Sequence, residues 1–263
     1  MDGSMDSAPE LRAVILGVPI SIINMQSALD IISSWVSQKQ SRFITAVDVH
    51  GVMTAQSSPT HLQALRSADM VTPDGLPLVW VGRARGHREM GRVAGPDLIA
   101  AVCEQSAVRG WRNYFYGGAP HVVQELSLRL KQSYPGLIVV GVESPPFRPL
   151  TDAEKRETAR RINESRADIV WVGLGCPKQE RWISDMKPLI ERAVLIAVGA
   201  AFDFHSGNIS RAPRWMQRSG FEWLHRLCSE PRRLWRRYLV LAPSFVAMAV
   251  RESLISRGRP PSA

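Results

Sequence analysis

Ile169-Val170-Trp171-Val172-Gly173-Leu174-Gly175-Cys176-Pro177-Lys178-Gln179-Glu180 is the stretch that decides the fold. Its first four residues are apolar without alternation, the mark of a short strand covered on both sides. Two glycines and a proline interrupt the run, and residues 178–186 then carry apolar side chains at helical spacing. The same succession recurs along the chain. Residues 114–116 read as a strand leading into Gly117-Gly118 and a helix over 120–133; residues 137–142 read as a strand, followed by a helix over 152–165 with Thr151 as N-cap. Residues 194–198 are a further buried strand. Upstream, 12–23 starts as a strand or hairpin, 26–38 is helical and 43–47 is β-like. Residues 49–67 form one or two helices broken near Pro59, 69–72 is a strand ending in Pro73-Asp74-Gly75, and helices follow over 78–85 and 96–108. Buried strands alternating with amphipathic helices predict an α/β fold, a Rossmann-like parallel sheet with helices on both faces.

Composition adds a second region. With 263 residues and 45% hydrophobic content the chain is no disordered protein. Its net charge is +9, and from His205 onward eleven arginines face three glutamates, so +8 of that surplus sits at the C-terminal end. After Pro213 the pattern is helical and rich in Arg and Trp, with Trp215, Trp223 and Trp235, and Pro231 suits the first position of a final long helix. Within that helix, residues 238–250 give an apolar run of about 13 broken by Pro243 and Ser244, short of the roughly 20 that cross a bilayer. The expected layout is a disordered 1–11, a catalytic core over 12–210, a basic amphipathic helical appendage over 211–257 that associates with a membrane without spanning it, and a disordered 258–263. Residues 1–10 carry no secretory pattern and the three cysteines match no metal spacing, which predicts a cytoplasmic protein at the inner face of the membrane.

In such a sheet, ligands collect beyond the C-terminal ends of the strands. Gly173 and Gly175, and again Gly117 and Gly118, lie in loops where backbone N–H groups can meet phosphate, although turn chemistry accounts for them equally well. Neither loop is a dinucleotide fingerprint or a P-loop. Asp74 is either a turn residue or a general base at a strand end. Asp203 and His205, two apart on a loop, are too little for a metal site, and none is expected.

Taken together, several motifs resemble the WecG/TagA/CpsF family of bacterial glycosyltransferases. They are Thr72-Pro73-Asp74-Gly75-Leu76-Pro77-Leu78-Val79-Trp80, Arg92-Val93-Ala94-Gly95-Pro96-Asp97-Leu98, the loop from Val172 to Glu180, and Gly199-Ala200-Ala201-Phe202-Asp203-Phe204. The series continues through Arg211-Ala212-Pro213-Arg214-Trp215-Met216-Gln217, Glu222-Trp223-Leu224-His225-Arg226-Leu227 and Glu230-Pro231-Arg232-Arg233-Leu234-Trp235-Arg236-Arg237-Tyr238. The resemblance implies an inverting transfer from a UDP-sugar to a polyprenyl-diphosphate-linked saccharide, with no cofactor or metal and with Asp74 as catalytic base. It also implies that Arg92, Gln179, Asp203, Arg226, Arg233 and Arg236 bind substrate. The family usually carries Thr-x-Asn after its second strand; here Asp48 stands at the Asn position and Thr45 beside the Thr position, so both are substrate-binding candidates, and the acid points to a different sugar. Family sugars are N-acetylmannosamine, its uronic acid or glucose, and Pro77 leans toward an exopolysaccharide-type glucosyltransferase.

Two other classes fit parts of the chain: a nicotinamide-dependent oxidoreductase on the same fold, and a nonenzymatic membrane-surface binder. Nucleic acid is not an expected partner, because the arginines interleave with an apolar stripe that suits lipid. Homo-oligomerisation is left open.

Overall fold

The computed structural model describes residues 11–257; of the ends expected to be disordered, 1–11 and 258–263, all but Leu11 lie outside the described residues, and the Leu11 carbonyl accepts from the Ile22 amide at 2.9 Å. Eight strands alternate with helices. β1 (Arg12–Ile15) and β2 (Val18–Ser21) form an antiparallel hairpin. The other six, β3 (Arg42–Val47), β4 (Met70–Pro73), β5 (Arg112–Gly117), β6 (Ile138–Glu143), β7 (Ile169–Gly173) and β8 (Val194–Ala197), build one parallel sheet in the order β4-β3-β8-β7-β5-β6.

Helices α1 (Met25–Ser37), α2 (Val49–Ser57), α3 (Pro59–Ser67), α4 (Leu76–Ala84), α5 (Gly95–Arg109), α6 (Pro120–Ser133), α7 (Asp152–Glu164), α8 (Lys178–Met186) and α9 (Ala201–His205) connect the strands. Their boundaries follow local chemistry. Asn24 and Thr151 close capping boxes at the starts of α1 and α7, and Pro59 opens α3 at its first turn after Ser58 caps it.

Side chains alternate along the strands, with one register shift where β6 pairs with β5. Phe43, Val71, Tyr114, Tyr116, Val170, Val172 and Leu195 turn to one face, where α2, α3, α7 and α8 cover them. Ile44, Met70, Phe115, Ile169, Trp171, Val194 and Ile196 turn to the other, under α1, α5, α6 and α9. This is the α/β, Rossmann-like architecture with both faces covered, and its six parallel strands explain the continuous apolar runs of the sequence.

The C-terminal part continues as α10 (Arg214–Ser219), α11 (Glu222–Ser229), α12 (Pro231–Trp235) and α13 (Ala242–Arg257). A π-helical segment, Arg236–Leu241, joins α12 to α13 without a break. The apolar run therefore does not stop at Pro243: the wider π turn just before it accommodates a proline that lacks an N–H donor. Here the expectation of a helix too short to span is corrected. Among the described residues one helix, Pro231–Ile255, is long and apolar enough to cross a membrane. In this structure it lies on the core instead, burying Leu234, Phe245 and Ala249, while Glu252 accepts from the Leu16 amide at 3.1 Å and pairs with Arg85 at 2.6 Å.

Candidate active site

Val47 pairs with Pro73 in the β3–β4 ladder, so the next residue of each strand, Asp48 and Asp74, leaves the sheet side by side at its C-terminal edge. The Asp74 amide donates to the Val47 carbonyl at 2.9 Å, and a Cβ placed on Gly75 would lie 3.6 Å from that of Asp48. Arg92, from the loop before α5, donates from Nε to the Asp74 carbonyl at 2.7 Å and brings Nη2 to 3.9 Å from its carboxylate. The first amide of α5, Gly95, faces the same carboxylate at 3.5 Å. Only glycine allows that approach, since a Cβ there would fall 2.6 Å from the Val198 carbonyl oxygen. Burial first, then the Asp48 carboxylate, push the Asp74 carboxyl up to about 6; Glu222 adds to this, and Arg92 and the Gly95 amide only partly offset it. The side chain keeps 27% of its surface open, enough for a hydroxyl to reach it. A carboxylate tuned close to neutral pH and still accessible is suited to accept a proton.

The C-terminal helices close over this point. Arg92 pairs through Nη2 with Glu222 at 2.6 Å, Glu222 also accepts from Arg211 Nε at 3.2 Å, and Arg211 grips Asp97 through two hydrogen bonds of 2.6 and 2.9 Å. Asp48 uses one oxygen to cap α2 at the Gly51 amide, 3.1 Å away, and pairs through the other with Arg237. Burial opposes ionisation of Asp48, but Arg237, His50 and the Gly51 amide outweigh it and hold the carboxyl below its ordinary value.

Beneath the two acids lies a buried polar network, in which Glu180 Oε2 and His61 Nδ1 have no hydrogen-bond partner. Thr45 Oγ1 and Gln179 Nε2 both donate to Glu180 Oε1, at 3.0 and 2.9 Å, and Gln179 Oε1 accepts from the Gly199 amide at 3.0 Å. His61 Nε2 lies 3.6 Å from Cys176 Sγ, and the donor atoms of His61, Cys176 and Glu180 are within 4.8 Å of one another. Among the described residues these three are the group with a donor set for a cation. Burial lowers the His61 imidazole despite Glu180, and burial with the Glu180 charge raises the Cys176 thiol, so as it stands the pair is a neutral thiol–imidazole contact.

The profile described as Glycosyl transferase WecG/TagA/CpsF family matches residues 13–259. The chain belongs to this family. Two relatives carry the name N-acetylglucosaminyldiphosphoundecaprenol N-acetyl-beta-D-mannosaminyltransferase. One, from Bacillus spizizenii, is 33% identical over 85% of this chain and 84% of its own length. The other, from Bacillus subtilis, is 28% identical over 90% of this chain and 91% of its own. The protein is thus a glycosyltransferase.

The structure of the transferase gathers some of the residues expected from its sequence and separates others. Asp74, Asp48 and Arg92 meet. Thr45 and Gln179 are buried, and their side chains brace Glu180 and the β8 loop instead of facing an open space. Gly117 and Gly173 are paired across β5 and β7, and Gly118 donates to the Gly173 carbonyl at 3.0 Å. A Cβ on Gly117 would meet that carbonyl oxygen at 2.5 Å and one on Gly173 would strike Phe202, so packing already explains both glycines, whereas Gly175 faces open space at φ +76°. Asp203 is held by Asn208 Nδ2 at 2.9 Å. Arg226 lies over the Phe204 ring, 5.4 Å from its centroid, with Nε buried and without a hydrogen-bond partner. Arg233 pairs with Glu230, Arg236 stacks on Trp235, and both stay exposed. Arg237, next along the helix, is the one that reaches the acids. Glu222, Arg211, Asp97 and Arg237 all lie inside the motifs, but no local signal ranks them above their neighbours.

Proposed function

We propose that this transferase moves a hexose or N-acetylhexosamine-type sugar from a UDP-sugar to a hydroxyl of a polyprenyl-diphosphate-linked saccharide, with inversion and without a metal ion. Asp74 removes the acceptor proton as the hydroxyl attacks the anomeric carbon opposite the departing UDP. The observation that carries this reading is the Asp74 carboxylate, raised to about 6, partly open and fixed at a strand end by Arg92 and the start of α5. Negative charge growing on the leaving diphosphate calls for cations. Arg226, with its unpartnered Nε, and the exposed Arg233 and Arg236 are the arginines available for that duty, provided α11 and α12 settle onto bound donor.

The acceptor class is supported by the relatives, whose names give an undecaprenol-linked acceptor and N-acetylmannosamine as the sugar moved. An exopolysaccharide-type glucose donor, suggested by Pro77, is the competing choice. A lipid-linked acceptor supports our reading of an enzyme that works at the inner face of the cytoplasmic membrane. Trp215, Trp223 and Trp235, exposed among the arginines of the last helices, suit an anionic headgroup layer. Turnover of a UDP-sugar panel on polyprenyl-diphosphate-sugar in vesicles, with and without EDTA, tests the proposal. One donor consumed at an unchanged rate in EDTA supports it; a rate abolished by EDTA and restored by Mg²⁺ or Mn²⁺ refutes the metal-free mechanism, and failure of UDP to bind refutes the donor class.

A further inference from the structure

We infer that Arg237 is a positioning residue for the transfer, pinning the Asp48 carboxylate and compensating its charge beside Asp74. The inference rests on the reading of Asp74 as the base. Two carboxylates that leave neighbouring parallel strands one residue past a paired position repel each other when both are charged. A cation must sit between them if both are to be anionic near neutral pH.

Among the described residues eight charged or titratable groups face this point: Asp48 from the end of β3, His50 from α2, Asp74 from the end of β4, Arg92 from the loop before α5, Cys176 from the loop after β7, Glu222 from α11, and Arg237 and Tyr238 from the π segment. Arg92 does not neutralise Asp48, because its guanidinium is spent on Glu222, the Asp74 carbonyl and the Gln217 carbonyl. His50 favours the Asp48 charge less than Arg237 does, and burial and then Arg237 itself lower its imidazole. Among the described residues Arg237 is the ion-pair partner of Asp48, and Asp74 is also among the acids that favour its charge. The pair bridges positions 189 residues apart, so it also fastens the last helix to the mouth of the site.

The test is the pH dependence of kcat/KM from about pH 5 to 9 for wild type, Arg237→Gln, Arg237→Lys, Asp48→Asn and the double variant Asp48→Asn with Arg237→Gln. The acid limb reports the free enzyme's essential base. With Arg237 removed, an uncompensated Asp48 moves that limb upward by about one pH unit or more, Lys holds it near the wild-type position, and Asp48→Asn moves it downward. Because Arg237 acts through Asp48, adding Arg237→Gln to Asp48→Asn moves the limb by less than about half of the single-variant shift. An unmoved limb in Arg237→Gln, or an equal shift in both backgrounds, overturns the inference. Should Gln at 237 prevent folding, Asp48→Asn decides: a lowered limb supports the inference and an unchanged one refutes it. An active Asp74→Asn enzyme would instead refute the base assignment, whatever Arg237 does.

Discussion

The sheet and the C-terminal helices are held by different forces. In the sheet most side chains outside the edge strand β6 are buried, and the two clusters on its faces account for the core. Among the described residues from Arg211 onward, the buried hydrophobic ones are Ala212, Leu234, Phe245 and Ala249, while Trp215, Leu239, Val246, Leu254 and others stay exposed. What fastens the helices is charge: Arg211 to Asp97, Glu222 to Arg92, Arg237 to Asp48 and Glu252 to Arg85. Two of those four pairs converge on the neighbours of Asp74. The difference is that the proposed base, Asp74, belongs to the apolar core, whereas the helices beside it are tied down mainly by ion pairs.

Removing residues 211–263 is the most drastic way to break the comparison. The core should keep its far-UV circular dichroism and a cooperative melt, with transfer to a lipid-linked acceptor lost entirely; retained activity would show that the helices are dispensable. Phe245→Ala deletes the largest apolar anchor of α13, which is 1% exposed, and such a truncation costs about 3 kcal/mol or more. Limited proteolysis should then cut within 231–257 much faster than wild type, while the core melt changes little; an equal loss in both would mean that core and helix unfold as one unit.

Asp74 sharpens the contrast from inside the core. Its carboxyl ionises near 6 when folded, against an ordinary value of 3.8, so charging it weakens the fold as pH rises through that window. Asp74→Asn should therefore melt higher than wild type above pH 6, by on the order of 2 kcal/mol, and match it at about pH 4 or below. A smaller effect is expected at the exposed Arg236. Its change to Gln should weaken retention on anionic vesicles by about 1 kcal/mol, several-fold, at low salt and leave core stability untouched.

Most of the fold is legible in the sequence because each strand is an apolar run flanked by a cap, a glycine or a proline. The 120–133 and 178–186 helices match their observed limits for that reason. The Asp74 turn was equally visible, since Pro-Asp-Gly punctuates the end of β4. What sequence could not supply was long-range pairing. The Thr45–Glu180 hydrogen bond joins residues 135 apart, and nothing local ties them. Arg237 instead of Arg236 meets Asp48 because successive helical residues point about 100° apart, and the π segment alters the phase that a regular helix would have set. The same segment carries the helix through Pro243, which in the sequence marks a break in the apolar run.

The role of Asp74 as base is read out by kcat/KM against pH for wild type and Asp74→Asn, with the donor and lipid acceptor that the panel identifies. The wild-type rate should rise as pH passes about 6, and the Asn variant should still bind UDP but fall by about 100-fold or more with that limb lost. An Asn variant within a few-fold of wild type, with the same acid limb, would contradict it.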